Sequence, residues 1–203
     1  MAAQYNRKDH LYLKAKKEGY RSRAAYKLIE LDDKYRLLLP GMHVLDLGAW
    51  PGSWLEVEAE RIGKAGLAVG IDLVKLDELS NSNVTCLCGD AGDDEILAEA
   101  LRLSGEPFDL ILSDMSPKLT GIAEADRYGA VHCAELALYG AGRSLRAGGN
   151  FVIKVFKSNE TEVFVKSLRP LFNKVIRAEL SSTRKTSNEF YVLGQGFKPG
   201  LHS

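Results

Sequence analysis

The sequence holds only three cysteines, Cys86, Cys88 and Cys133, and no Cys-x-x-Cys pair. This excludes a disulfide-stapled secreted framework and leads to the expectation of reduced core thiols in a cytoplasmic protein. Long apolar runs are missing as well. No stretch suffices to span a bilayer, and the opening MAAQYNRKDHLYLKAKK lacks the apolar centre of a signal peptide. Neither of the two common phosphate loops occurs, since the chain contains no G-x-G-x-x-G and no G-K-[ST]. An excess of either charge is also lacking, because 27 Lys/Arg balance 27 Asp/Glu. Taken alone, that balance argues against a nucleic-acid partner.

The distribution of those charges argues the other way. Residues 1–36 carry ten Lys/Arg and five Asp/Glu, residues 37–153 eight and eighteen, and residues 154–203 nine and four. Two basic ends flank an acidic centre. If they meet in space they make one positive face suited to a phosphate backbone, with Lys14, Lys16, Lys17 and Arg21 as its expected members. Solvated helix faces would give the same counts. The 203 residues suit one domain, expected as a basic N-terminal segment and helix (1–36) packed on a body of 37–203.

Along the chain, SRAAYKLIELDDKYRLL repeats apolar residues at helical spacing up to Pro40–Gly41. Strands and helices then alternate. MHVLDLG, GLAVGIDL, VTCLCGD, FDLILSD and NFVIKVF read as strands. SWLEVEAERIG, DDEILAEALRL, EADRYGAVHCAELALYGAGRSL and NETEVFVKSLRPLF read as helices, the third loosened by glycines and the fourth capped by Asn159. KVIRAEL and NEFYVLGQGF close as strands. This alternation predicts an α/β fold: a mostly parallel sheet with helices on both faces.

In such sheets ligands bind at the carboxyl ends of the strands. Four successive strands end at an aspartate, namely Asp46, Asp72, Asp90 and Asp114. One would usually be a cap or turn residue, but four at equivalent positions converge on one crevice. The loop DLGAWPGSW brings Gly48 and Gly52 for close backbone approach and Pro51 for stiffness. A loop that does not wrap phosphates, followed by strand-end acids, suits a cationic ligand carrying a ribose. Asp72 stands where an acid accepts ribose hydroxyls, and Asp90 can meet an adenine amino group. S-adenosylmethionine fits this set. No metal is expected.

Seven segments in order, GYRSRAAYKL, VLDLGAWPGSW, VGIDL, GD, LILSDMSPKLTG, LRAGGNFVIKVF and SNEFYVLGQGF, make the chain resemble the FtsJ/RrmJ family of ribose 2′-O-methyltransferases. The resemblance implies a Rossmann-like methyltransferase fold whose seven-stranded sheet ends in an antiparallel strand. It implies cofactor contacts at Gly52, Trp54, Asp72, Asp90 and Asp114, and a catalytic tetrad of Lys27, Asp114, Lys154 and Glu189. It further implies an RNA substrate, foremost a uridine of large-subunit (23S-type) ribosomal RNA, acted on by a monomer. Transfer RNA and the messenger cap ribose are the alternatives. Trp50 and Ser53 depart from the alanine and glycine common in the family, both within the cofactor loop.

Lys154 is the odd residue of FVIKVF. A ribose hydroxyl needs its proton removed, and only a neutral lysine can take it. Burial and Lys27 favour that form, while Asp114 and Glu189 oppose it, so base and charged clamp both remain open. Tyr5 and Tyr20 are candidates for stacking on splayed bases. A base-directed methyltransferase would carry (N/D)PP(Y/F) or a Pro-Cys nucleophile, where this chain has DMSP. A non-catalytic RNA-binding module is the reading of another class.

Overall fold

The computed structural model describes residues 9–118 and 120–200, so Tyr5 lies outside the described residues. Strands β1 (His43–Leu47), β2 (Leu67–Asp72), β3 (Val84–Cys88), β4 (Phe108–Ser113), β5 (Leu145–Phe156), β6 (Phe172–Ala178) and β7 (Glu189–Phe197) form one sheet. Its order is β3-β2-β1-β4-β5-β7-β6. The first five strands pair in parallel, and β7 runs antiparallel to both β5 and β6. This is the mostly parallel seven-stranded sheet with an antiparallel final strand expected above.

Near-continuous apolar strands require cover on both faces. One face packs Val44, Leu110, Leu112, Val152, Tyr191 and Leu193 under α2 (Ala25–Tyr35) and α3 (Ser53–Ile62). The other packs Leu45, Ile71, Ile111, Phe151, Ile153 and Val192 under α4 (Asp94–Ser104), α5 (Ala123–Ser144) and α6 (Asn159–Ser167). Glycines do not interrupt α5, which runs unbroken for 22 residues. At Gly140 a Cβ would stand 3.2 Å from Leu47, so the missing side chain lets the helix press onto β1.

Three local readings change. Helix α1 (His10–Glu18), capped by the Asp9 carboxylate on the Tyr12 N–H, lies in what reads as a basic lead-in; only Ala15 of it is buried, too weak an apolar stripe to signal a helix. Helix α2 starts at Ala25 rather than Ser22, because residues 22–24 form tighter turns in which the Ser22, Arg23 and Ala24 carbonyls accept the N–H groups three residues on. The cap of α6 is Ser158, whose Oγ accepts the Thr161 N–H, and Asn159 is the first helical residue.

The two basic ends touch. Arg23 and Arg184 both bond the Asp9 carboxylate, Arg23 also donates to the Ser182 carbonyl, and the Glu30 carboxylate accepts the Ser181 and Ser182 N–H groups. The segment from α1 to α2 therefore grips the β6–β7 loop, which leads directly into Glu189.

Candidate active site

Period-2 alternation places three of the tetrad, Asp114, Lys154 and Glu189, on one face. Leu112 and Asp114 point the same way from the end of β4, as do Val152 and Lys154 on β5. In the β5–β7 register Lys154 stands opposite Tyr191, and Phe156 opposite Glu189. Lys27 comes down from α2, which covers that same face. All four residues sit at the carboxyl edge of the parallel strands.

The structure brings them together as two linked pairs. Lys154 Nζ lies 3.1 Å from Asp114 Oδ1 and donates to the Asp114 backbone carbonyl at 2.5 Å. Lys27 Nζ lies 2.5 Å from Glu189 Oε1. The lysine on β5 does not snorkel, since its side chain is 5% exposed and spends its donors on Asp114. Tyr191 joins the pairs: its hydroxyl donates to Asp114 Oδ1 at 2.7 Å, and Lys27 Nζ lies 5.8 Å from its ring centre. Burial pushes the Asp114 carboxyl up, but Lys154, Lys27 and the Tyr191 hydrogen bond outweigh it and hold it below the ordinary carboxylate range. Burial, then the Asp114 and Glu189 carboxylates, push Tyr191 far up, so it stays a phenol that donates. Tyr191 was not singled out from sequence, although Glu189 and Tyr191 two apart on one strand face carry the signal.

Beside this cluster opens a cavity of about 840 Å³. Lys27 and Glu189 line it from one side, Phe156 and Lys157 from another, and Ser187 and Asn188 from the β6–β7 loop.

The side expected from sequence to take the cofactor is built from the first four strands. β3, β2, β1 and β4 are adjacent and parallel, so their carboxyl ends share one edge. Asp72 accepts the Trp50 N–H (2.9 Å) and the Val74 N–H (2.8 Å), pinning the glycine loop to the end of β2. Asp90 is exposed, with one oxygen on the Gly92 N–H. Gly48 has φ +80°, and a Cβ there would lie 2.5 Å from Met115 Cγ, so the loop must carry glycine. Gly52 (φ +101°) caps α3 without a side-chain bond, which leaves the first-turn N–H groups at the crevice. The Trp54 indole is buried and donates to the Ala24 carbonyl, so any ligand contact at this position falls to its backbone.

Two acids depart from the sequence reading, Asp46 in its place and Glu58 by not having been singled out. Asp46 does not join the crevice rim: it is 1% exposed, and neither carboxylate oxygen has a hydrogen-bond partner. Glu58 on α3 is fully buried and equally unpartnered. Burial, then Asp114 and Asp72, push Asp46 well up; burial, then Asp46, push Glu58 well up. Glu58 falls at a core position of an otherwise ordinary amphipathic pattern, where only the apolar residues around it betray burial. Arg21 also departs from expectation. Its guanidinium donates to the carbonyls of Pro51, Asp77 and Glu78, so it braces the glycine loop instead of joining the basic face expected from sequence.

A glycine cradle that admits no Cβ, strand-end carboxylates and an orphaned buried acid behind the loop fit a cationic nucleoside such as S-adenosylmethionine.

Comparison with known proteins points to one family. The profile of the FtsJ-like methyltransferase family matches residues 20–197. The chain is 44% identical over 185 residues to a Pseudomonas fluorescens protein named ribosomal RNA large subunit methyltransferase E, covering 91% of this chain and 88% of the relative. The Pseudomonas aeruginosa protein of the same name is 42% identical over 192 residues, covering 94% and 92%. Among solved structures, a Plasmodium falciparum chain described as a ribosomal RNA methyltransferase superposes with a TM-score of 0.78 at 29% identity, covering 88% of this chain and 98% of that one.

Proposed function

Since the chain belongs to the FtsJ-like methyltransferase family, we propose that it transfers the methyl group of S-adenosylmethionine to a ribose 2′-hydroxyl of large-subunit ribosomal RNA. The observation that carries this reading is the linked cluster of Lys27, Asp114, Lys154 and Glu189 beside a nucleotide-sized cavity. The names of the relatives support the substrate.

Asp72, Asp90 and the backbone at Gly52 and Trp54 hold the cofactor. When bound, it supplies an electrophilic methyl carbon whose bonding pair returns to sulfur. The acceptor ribose takes the cavity, where Glu189 and Lys27 fix its hydroxyl. A neutral lysine has two N–H donors and one lone pair. At Lys154 both donors have acceptors on Asp114, its carbonyl and its carboxylate, and this aims the third direction. Lys154 Nζ takes the hydroxyl proton as the oxygen pair forms the new C–O bond. Asp114 accepts the Tyr191 hydroxyl hydrogen bond and lies in the field of Lys27, and its carboxylate neutralises Lys154 once that lysine is protonated.

The test supplies labelled S-adenosylmethionine and large ribosomal subunits from cells lacking this protein, then maps the product. A ribose 2′-O-methyl group at one nucleotide is expected. Label on a base, or none in RNA, overturns the reading.

A further inference from the structure

Arg21 lies in the short connection between α1 and α2, far in sequence from every residue it holds. Its guanidinium donates to the carbonyls of Pro51 (3.2 Å), Asp77 (3.1 Å) and Glu78 (2.6 Å). Its Nε lies 3.4 Å from Glu56 Oε1, and its own N–H donates to Glu56 Oε2 at 3.0 Å. One side chain thus ties together the glycine loop after β1, the segment after β2 and the first turn of α3. Asp72 holds the first two of these as well, through the Trp50 and Val74 N–H groups. A planar fork with five donors suits three carbonyls at once, and a lysine would not.

The neighbours of Arg21 extend the tie. Ser22 Oγ lies 2.6 Å from Ser53 Oγ, which joins the segment to the first residue of α3. The Ala24 carbonyl accepts the Trp54 indole N–H, and Tyr20 donates to Glu60. The opposite side of the same segment faces the acceptor cavity, where Ser22, Arg23, Ala24 and Lys27 form part of the wall. Residues 20–27 are therefore one wall with two ligand faces.

We propose that this wall couples the two substrates: RNA in the cavity tightens S-adenosylmethionine binding, the cofactor tightens RNA binding equally, and Arg21 is the positioning residue that transmits the effect. The proposal rests on the methyltransferase reading above. Seating a nucleotide against Ser22–Lys27 fixes a segment that the cofactor loops need fixed. The second ligand then bears less of the ordering cost. Such coupling is reciprocal in binding free energy and commonly about fivefold or more.

Equilibrium dialysis of labelled S-adenosylhomocysteine tests this, with and without large ribosomal subunits from cells lacking the protein. In wild type the subunits should lower Kd about fivefold or more. Arg21→Ala should raise the Kd of the protein alone by about tenfold, the scale of one lost charge-assisted hydrogen bond, and abolish the tightening. In turnover its loss should fall on KM for S-adenosylmethionine more than on kcat. Arg21→Lys, which keeps the charge but not the fork, should lose most of the coupling, and it carries the test should Arg21→Ala fail to fold. Equal tightening in wild type and Arg21→Lys, or none in wild type, overturns the coupling. Failure of wild type to bind S-adenosylhomocysteine at all would instead strike the methyltransferase reading itself.

Discussion

Lys154 sits in a strand so apolar that its cost has to be met by partners, and Asp114 supplies two of them. If Lys154 is the proton acceptor, Lys154→Ala should bind cofactor and RNA about as well as wild type and lose about 10²-fold or more in single-turnover methylation. Lys154→Arg should not restore it, because a guanidinium cannot accept the proton. Near-wild-type turnover in Lys154→Arg would make the residue a charged clamp. Asp72 presents a second test at this scale. Its two oxygens brace the cofactor loop through Trp50 and the turn through Val74. Asp72→Ala should weaken S-adenosylhomocysteine binding by about 1–3 kcal/mol in calorimetry, and unchanged affinity in a folded variant would remove it from the site.

At the scale of elements, α3 carries a liability. Glu58 and Asp46 face each other's field between helix and sheet with no hydrogen bond on any of their four oxygens. Their native proton affinities are raised above those of free carboxyls, so the folded state binds protons that the unfolded chain releases. Their contribution to stability is fully present below about pH 4 and is lost as pH rises through the native titration range. Glu58→Gln should therefore raise the melting midpoint at pH 8 by about 2–4 °C, a gain that shrinks toward pH 4. A gain independent of pH would mean that ionisation is not its cause. The clamp of α2 on the β6–β7 loop behaves oppositely. Burial raises the Glu30 carboxyl, but the Ser181 and Ser182 N–H bonds outweigh it and lower it overall. That contribution is present at neutral pH and lost on acidification. Glu30→Ala should release the loop ahead of Glu189, read as faster amide exchange at Ser181 and Ser182; unchanged exchange would place the clamp elsewhere.

On the scale of the whole molecule, the two basic ends of a neutral chain meet through Arg23 and Arg184 on the Asp9 carboxylate, and the basic face expected from the charge pattern can be tested on α1. Lys16 and Lys17 are exposed on α1, and Lys14 shares its charge with Glu18 at 3.8 Å. Replacing Lys14, Lys16 and Lys17 with glutamine should weaken RNA binding and lower its log–log salt slope by about 2, with cofactor affinity unchanged. An unaltered slope would move the RNA to another face. Arg21 stays out of this set because its guanidinium is committed to three carbonyls.

From α2 onward the order of strands and helices, the sheet class and the strand-end aspartates were legible in the sequence, because alternation and apolar runs follow from local geometry, whereas α1, with only Ala15 buried, left no such stripe. Period 2 was enough to put Lys154 on the face of Val152, and the family resemblance supplied Lys27 and Glu189 as its companions. Tertiary structure alone decided the rest. Whether Arg21 faces solvent or braces a loop 30 residues away depends on how α1 and α2 lie across α3, which no local pattern encodes. Asp46 and Asp72 look alike as strand-end acids, yet α3 closes over the first and leaves the second at the rim. Burial of a charge is a property of what packs against it. For these groups the packing partners come from distant parts of the chain.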